Sequence, residues 1–217
     1  MQILDTRERP LDECVEEVAR VVFSSGTVIY PTETTYVIGC DPGDSAAIDR
    51  LYGSKRRSDA KPLTLHVATP EELLEYAGGN PFASLAARRL LPAAVVLIVR
   101  RPPFIDREVT AGLPTLGLRV PQTPVAQALL DRCGPLAATS ANMSGERAYR
   151  GIGDAQELPS ADLLLAAGPT GSDFEPSIVD ISGSFPLLVR EGAVSAERLR
   201  AVFGELNSVA PKIRGSQ

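Results

Sequence analysis

Leu63-Thr64-Leu65-His66-Val67-Ala68 runs straight into Thr69-Pro70-Glu71-Glu72. The first stretch alternates. Its leucines and valine share one face and Thr64 and His66 share the other, which predicts a strand with one face in the core. The second stretch has a threonine cap, a proline in the first turn and a glutamate three residues after the cap, so it opens a helix. A strand that hands over to a helix without a linker points to an α/β or α+β chain. The same alternation continues outward. Upstream, Leu11, Val15, Val18 and Val22 fall at helical spacing before Gly26, Thr27 to Tyr30 reads as a strand ended by Pro31, and a helix follows over 45–54. Downstream, a helix is expected over 81–91 and strands over 95–100 and 115–120. Thr123-Pro124 opens a helix that Gly134 ends. Further strands are expected over 135–139, 162–166, 177–181 and 187–190, and Ser195 caps a last helix through Phe203. This predicts one domain over residues 1–206 built on a single mixed sheet, with a loose tail over 207–217.

The composition narrows the function. The chain has 217 residues, 44% hydrophobic and 23% charged, which suits one folded domain with a real core. Its longest uncharged apolar run, Leu90 to Val99, is broken by a proline and falls short of the ~20 residues of a membrane span. The charged start, Asp5-Thr6-Arg7-Glu8-Arg9, is unlike a secretion signal, so a cytoplasmic protein without a membrane partner is expected. A net charge of −5 disfavours general nucleic-acid binding, which rests on many phosphate contacts. Cys14, Cys40 and Cys133 are scattered and His66 is the single histidine, so neither a disulfide framework nor a protein-held metal is expected.

No P-loop, dinucleotide-binding glycine fingerprint or GxSxG elbow is present. The remaining chemistry lies in strand-borne polar residues. His66 and Thr64 share a strand face. In Leu116-Gly117-Leu118-Arg119-Val120, Arg119 stands opposite the aliphatic residues, and Arg190 ends the apolar Leu187-Leu188-Val189. Three strands each presenting a cationic or protonatable group suggest an anion pocket. Arg119 would bind a carboxylate there, or else pair with an acid such as Asp180. Lys55-Arg56-Arg57 and Lys61 read either as a solvated helix end, favoured by the helix dipole, or as part of the same pocket. Thr139-Ser140-Ala141-Asn142 follows a strand and is either an ordinary turn or a set of donors for phosphate or carboxylate.

Taken in order, Tyr30-Pro31-Thr32-Glu33-Thr34-Thr35-Tyr36, Lys55-Arg56-Arg57, Lys61-Pro62-Leu63 and Thr139-Ser140-Ala141-Asn142 resemble the signature of the YrdC-like family, the threonylcarbamoyl-adenylate synthases. Leu118-Arg119-Val120-Pro121, Ile178-Val179-Asp180 and Val189-Arg190-Glu191-Gly192 extend the resemblance over about residues 11–203. It implies a twisted, open α/β sheet around a deep, positively charged cleft. It also implies a nucleotidyltransferase that makes threonylcarbamoyl-AMP and pyrophosphate from L-threonine, bicarbonate and ATP, with Mg²⁺ carried in by the ATP. A separate transferase machinery would then pass the group to tRNA. Residue by residue, the resemblance places Thr34, His66, Arg119, Thr139 and Ser177 on threonine. It places Arg57, Lys61, Ala141 (through its backbone), Asn142 and Arg190 on ATP, and makes Lys55, Arg57, Ser140 and Asn142 the catalytic group.

The chain departs from the family pattern at several of these positions. Val37 stands at a family glycine, Val96 replaces a hydroxyl residue, Pro176-Ser177 stands for Ser-Thr, and Ala148 falls near a family serine. A YciO-like paralogue of the same fold, binding nucleotide or double-stranded RNA with little or no synthase activity, is the alternative that these departures keep open. A weak contact with tRNA or double-stranded RNA would accompany either reading.

Overall fold

The computed structural model describes residues 1–55, 61–142, 158–171 and 174–208. Along the chain the elements are β1 (Gln2–Asp5), α1 (Leu11–Val22), β2 (Val28–Pro31), β3 (Tyr36–Cys40), α2 (Ser45–Ser54), β4 (Thr64–His66), α3 (Pro70–Tyr76), α4 (Pro81–Arg89), β5 (Val95–Arg100), β6 (Thr115–Arg119), α5 (Pro124–Cys133), β7 (Leu136–Ser140), β8 (Leu163–Ala166), β9 (Ser177–Asp180), β10 (Leu187–Arg190), α6 (Ala196–Phe203) and β11 (Asn207–Ser208). Among the described residues, five of the six helices start where the sequence supplies a cap. The side chains of Asp44, Thr69, Asn80, Thr123 and Ser195 each accept a backbone N–H from the first turn of the helix that follows. In α1, Pro10 precedes the helix without a side-chain cap, and burial of Cys14, Val15, Val18 and Val22 along one stripe holds it in place.

Among the described residues the strands form one mixed sheet in the order β1-β8-β2-β3-β7-β4-β6-β5-β9-β10-β11. One face carries α2, α3, α4 and α6 over a core that includes Ile29, Ile38, Leu65, Leu97, Leu118 and Val179. The other face carries α1 and α5 over Val28, Tyr30, Leu136, Leu163 and Leu165. These two helices lie against β2 and β8. Farther along the same face, toward β4, β6 and β5, the inward positions turn polar or small: Thr64, His66, Gly117 and Arg119. The register sets Thr64 beside Gly117 and His66 beside Arg119. The candidate site opens there.

Three short strands depart from the sequence reading. β1 comes from the charged start and pairs in parallel with β8, and β3 comes from a run that carries no alternation because all five of its residues are buried. β11 begins at Asn207, where a loose tail was expected, and pairs with Leu187–Leu188. Residues 209–217 lie outside the described residues.

Gly26 shows how tightly the α1–β2 corner is packed. Its N–H donates to the Val21 carbonyl at 2.9 Å, just after Ser25 with a positive φ of 60°. A Cβ at Gly26 would stand within 3.0 Å of both Val21 Cγ1 and the Val21 carbonyl oxygen. Gly26→Ala is expected to lower stability by about 1–3 kcal/mol through overpacking, read as a lower urea midpoint with an unchanged m-value.

Candidate active site

The site begins with a turn. After Pro31 ends β2, the Thr32 N–H donates to the Thr35 carbonyl at 3.0 Å and its hydroxyl donates to the same carbonyl at 2.7 Å. The Thr32 oxygen also accepts the Thr35 N–H at 3.2 Å. Thr32, Thr34 and Thr35 are buried. Cinched this way, the turn delivers Glu33 and Thr34 to the end of β6. There Arg119 Nη2 donates to Glu33 Oε1 at 2.8 Å and to Thr34 Oγ1 at 3.0 Å. The second Glu33 oxygen accepts the Gln122 N–H at 3.2 Å. Both side chains of this ion pair are withdrawn from water, Arg119 at 3% and Glu33 at 11% exposure. The acid beside Arg119 is therefore Glu33. Asp180 instead accepts the N–H and hydroxyl of Ser182. Arg119 Nε is buried and has no partner among the described residues. Such a donor is costly unless something accepts from it.

His66 sits beside Arg119 and is equally buried. Its Nδ1 lies 2.9 Å from the Tyr30 hydroxyl. Burial, with help from the Arg119 charge, pushes the imidazole pKa well below its ordinary value, so the ring is neutral. Gly117 keeps the floor open: a Cβ there would stand 3.2 Å from Val96 Cγ1 and 3.3 Å from Thr64 Oγ1. Together these residues border a cavity of about 380 Å³. Its walls also include Val37, Lys61, Ser140, Pro176 and Arg190. The Val37 and Val96 departures are thus both on the cavity wall.

At the β7 end, Ser140 Oγ donates to Asn142 Oδ1 at 2.6 Å. Lys55, fully buried, reaches the Ser140 carbonyl and comes within 3.4 Å of Thr139 Oγ1 and Asn142 Oδ1. At the opposite rim, Arg190 pairs with Glu175 and donates to the Pro176 carbonyl at 2.9 Å through Nη2. A larger hollow of about 880 Å³ lies between α1 and α5, but Asp12, Glu13, Glu16, Glu17 and Asp131 outnumber Arg9 and Arg20 around it. Anion chemistry belongs to the smaller cavity.

The structure brings His66, Arg119, Lys61, Ser140 and Arg190 to one cavity, with Thr34 behind Arg119. Other expected site residues sit at the edge of this cavity or apart from it. Ser177 shares a strand face with Val179, away from the cavity. Its hydroxyl donates to the Val194 carbonyl at 2.6 Å and accepts the N–H groups of Gly192 and Val194, so it organises the loop before α6. The Ala141 N–H donates to the Tyr36 carbonyl at 2.9 Å, so a backbone contact from this residue to a nucleotide would fall to its carbonyl. Thr139 borders the cavity, but its hydroxyl lies on the Lys55 side. Arg57 and Ala148 lie outside the described residues. Sequence reasoning missed Tyr30, Glu33 and Glu175 as site residues. Glu33 lay within the quoted Pro-Thr-Glu-Thr stretch, and the need of a buried arginine for a carboxylate was the signal that could have found it.

The family model Sua5/YciO/YrdC, described as "Telomere recombination", matches residues 21–192. The chain belongs to this family. A Bacillus subtilis member named threonylcarbamoyl-AMP synthase is 31% identical over 201 residues, covering 90% of this chain and 58% of its own length. A crystal structure of Pyrococcus abyssi Sua5 complexed with L-threonine superimposes with a TM-score of 0.91 at 28% identity, covering 100% of this chain and 65% of the other. The chain thus spans about three fifths of the length of these relatives. An Escherichia coli member, the uncharacterized protein YciO, is 26% identical over 192 residues, covering 85% of this chain and 92% of its own.

The buried neutral histidine has a measurable consequence. Its folded pKa lies below the unfolded value near 6.5, so as pH falls through that value the unfolded chain takes up a proton that the native state refuses. Stability is full above about pH 6.5 and declines below it, by at most about 1.4 kcal/mol per pH unit. Urea unfolding between about pH 7.5 and 5.5 should show this slope in the native sequence. It should vanish in His66→Gln, because carboxylates titrate lower, near pH 4.

Proposed function

We propose that the chain is a threonylcarbamoyl-AMP synthase, condensing L-threonine, bicarbonate and ATP to threonylcarbamoyl-AMP, pyrophosphate and water. The observation that carries this reading is the buried Arg119 guanidinium, whose Nε has no partner among the described residues, bordering a cavity whose volume falls in the range of small-molecule sites. A threonine carboxylate matches it in charge and planarity. The relatives' names and the threonine-bound Sua5 support the same assignment.

In the reaction, the threonine amine and bicarbonate condense to a carbamate. A carbamate oxygen then displaces pyrophosphate from the α-phosphorus of ATP. The carbamate and the triphosphate that must meet are both anionic, so the protein's task is to hold like charges together in line. Arg119 and His66 would hold threonine, with Thr34 steadying the guanidinium. Lys61 and Arg190 would meet the phosphates, Glu175 giving way at the exposed Arg190. Ser140 and Asn142, held by Lys55, would face the reacting centre. Among the described residues no cluster of three or more His, Cys, Asp or Glu stands ready for a metal. Mg²⁺ would enter with ATP as part of the substrate. The product would go to a tRNA-modifying transferase, in the cytoplasm. The described helices include none long and apolar enough to cross a membrane.

Incubation with ATP, L-threonine and bicarbonate tests the reading: threonine-dependent release of pyrophosphate is expected. Intact ATP binding without such release would favour the YciO-like reading, for which Val37 on the cavity wall is the specific observation. Arg119→Lys keeps a cation opposite Glu33 but removes the planar fork. It should weaken threonine binding by about a hundredfold or more, on the order of 2–4 kcal/mol, while ATP affinity changes far less. Calorimetry with each ligand on the folded variant reads the difference.

A further inference from the structure

Tyr30 reaches His66 across two intervening strands. Tyr30 is on β2 and His66 on β4, with β3 and β7 between them. Small residues clear the way. A Cβ at Gly39 of β3 would stand 3.1 Å from Tyr30 Cε1, and the residue beside Gly39 on β7 is Ala138. The hydroxyl ends 2.9 Å from His66 Nδ1, with the rings edge-on. Both residues are buried, at 0% and 2% exposure.

Counting protons across this contact decides which ring nitrogen is bare. Burial raises the Tyr30 pKa above its ordinary value, so the phenol keeps its proton. His66 Nδ1 is the one hydrogen-bond partner of that hydroxyl among the described residues. If Nδ1 carried the ring proton, it would donate to the phenolic oxygen and leave a buried O–H without an acceptor, which is costly. If Nδ1 is bare, Tyr30 donates to it and both groups are satisfied. The single proton of the neutral imidazole is then on Nε2. No protein group among the described residues bonds Nε2, and His66 borders the cavity.

We infer that Tyr30 is a positioning residue that fixes His66 as the Nε2–H tautomer, so that His66 donates a hydrogen bond to an oxygen of the bound amino acid and is not the base that deprotonates its ammonium group. The inference rests on the synthase reading for the identity of the amino acid, but the tautomer itself does not. Condensation of the threonine ammonium with bicarbonate gives carbamate, water and one proton, and that proton leaves to solvent instead of to the ring.

The chain has one histidine, so the ¹⁵N spectrum of the untagged, labelled protein contains a single imidazole. Long-range ¹H–¹⁵N correlations at pH 7 should show Nε2 protonated and Nδ1 bare, and added L-threonine should move the Nε2 resonance. Tyr30→Phe should populate the Nδ1–H tautomer and raise the threonine KM several-fold while leaving the ATP KM in place. A wild-type ring protonated on Nδ1, or doubly protonated, overturns the inference even if the variant fails to fold. An unchanged tautomer in folded Tyr30→Phe removes Tyr30 as its cause. Threonine that binds without moving Nε2 removes the donor role. Absence of threonine binding with Nε2 protonated instead contradicts the synthase reading and leaves the Tyr30-set tautomer standing.

Discussion

A guanidinium buried at the end of β6 is the constraint on which the site depends. Taking Arg119 out of water costs several kcal/mol unless charge and hydrogen bonds compensate it. Compensation comes from Glu33 and Thr34, 86 and 85 residues earlier in the chain. It requires the turn at Thr32–Thr35 to hold its shape, and β6 to lie beside β4 in parallel register so that His66 stands next to Arg119. A fold that brought these elements together less closely would leave a charge buried and unpaired. Once they are together, the guanidinium borders the cavity with its Nε without a partner among the described residues.

Charge is arranged differently at the two ends of the cavity. Each arginine has a carboxylate, so the cleft is less positive than a count of its arginines implies. The Arg119–Glu33 pair is buried, and removing either partner would strand the other. The Arg190–Glu175 pair is exposed, at 41% and 53%, and contacts of that kind are worth about 0–1 kcal/mol. A phosphate can displace it. The Arg119 end is therefore preformed and the Arg190 end adaptable, an order that would suit the proposed reaction, in which a small substrate must be held still while a larger, highly charged one arrives.

Much of this was legible in the sequence, because alternation in a half-buried strand reports directly on which side chains share a face. Thr64 and His66 against Leu63, Leu65 and Val67, and Gly117 and Arg119 against Leu116, Leu118 and Val120, fall on the faces that the pattern dictates. The helix starts were legible for the same local reason, through their caps. What escaped was non-local. The fully buried β3 shows no alternation, and β1 is defined by pairing with a strand some 160 residues away. The partner of Arg119 could not be chosen between acids without the register of the sheet. Ser177 is a different case: its alternation with Ile178 already put it on the face of Val179, and the family pattern outweighed that local signal.

A crystal structure of the chain with L-threonine tests the central claim most directly. The threonine carboxylate should lie within hydrogen-bond distance of the Arg119 guanidinium, with the Arg119–Glu33 pair and the Thr32–Thr35 turn unmoved. Threonine bound elsewhere, or bound in the cavity without a contact to that guanidinium, would contradict it.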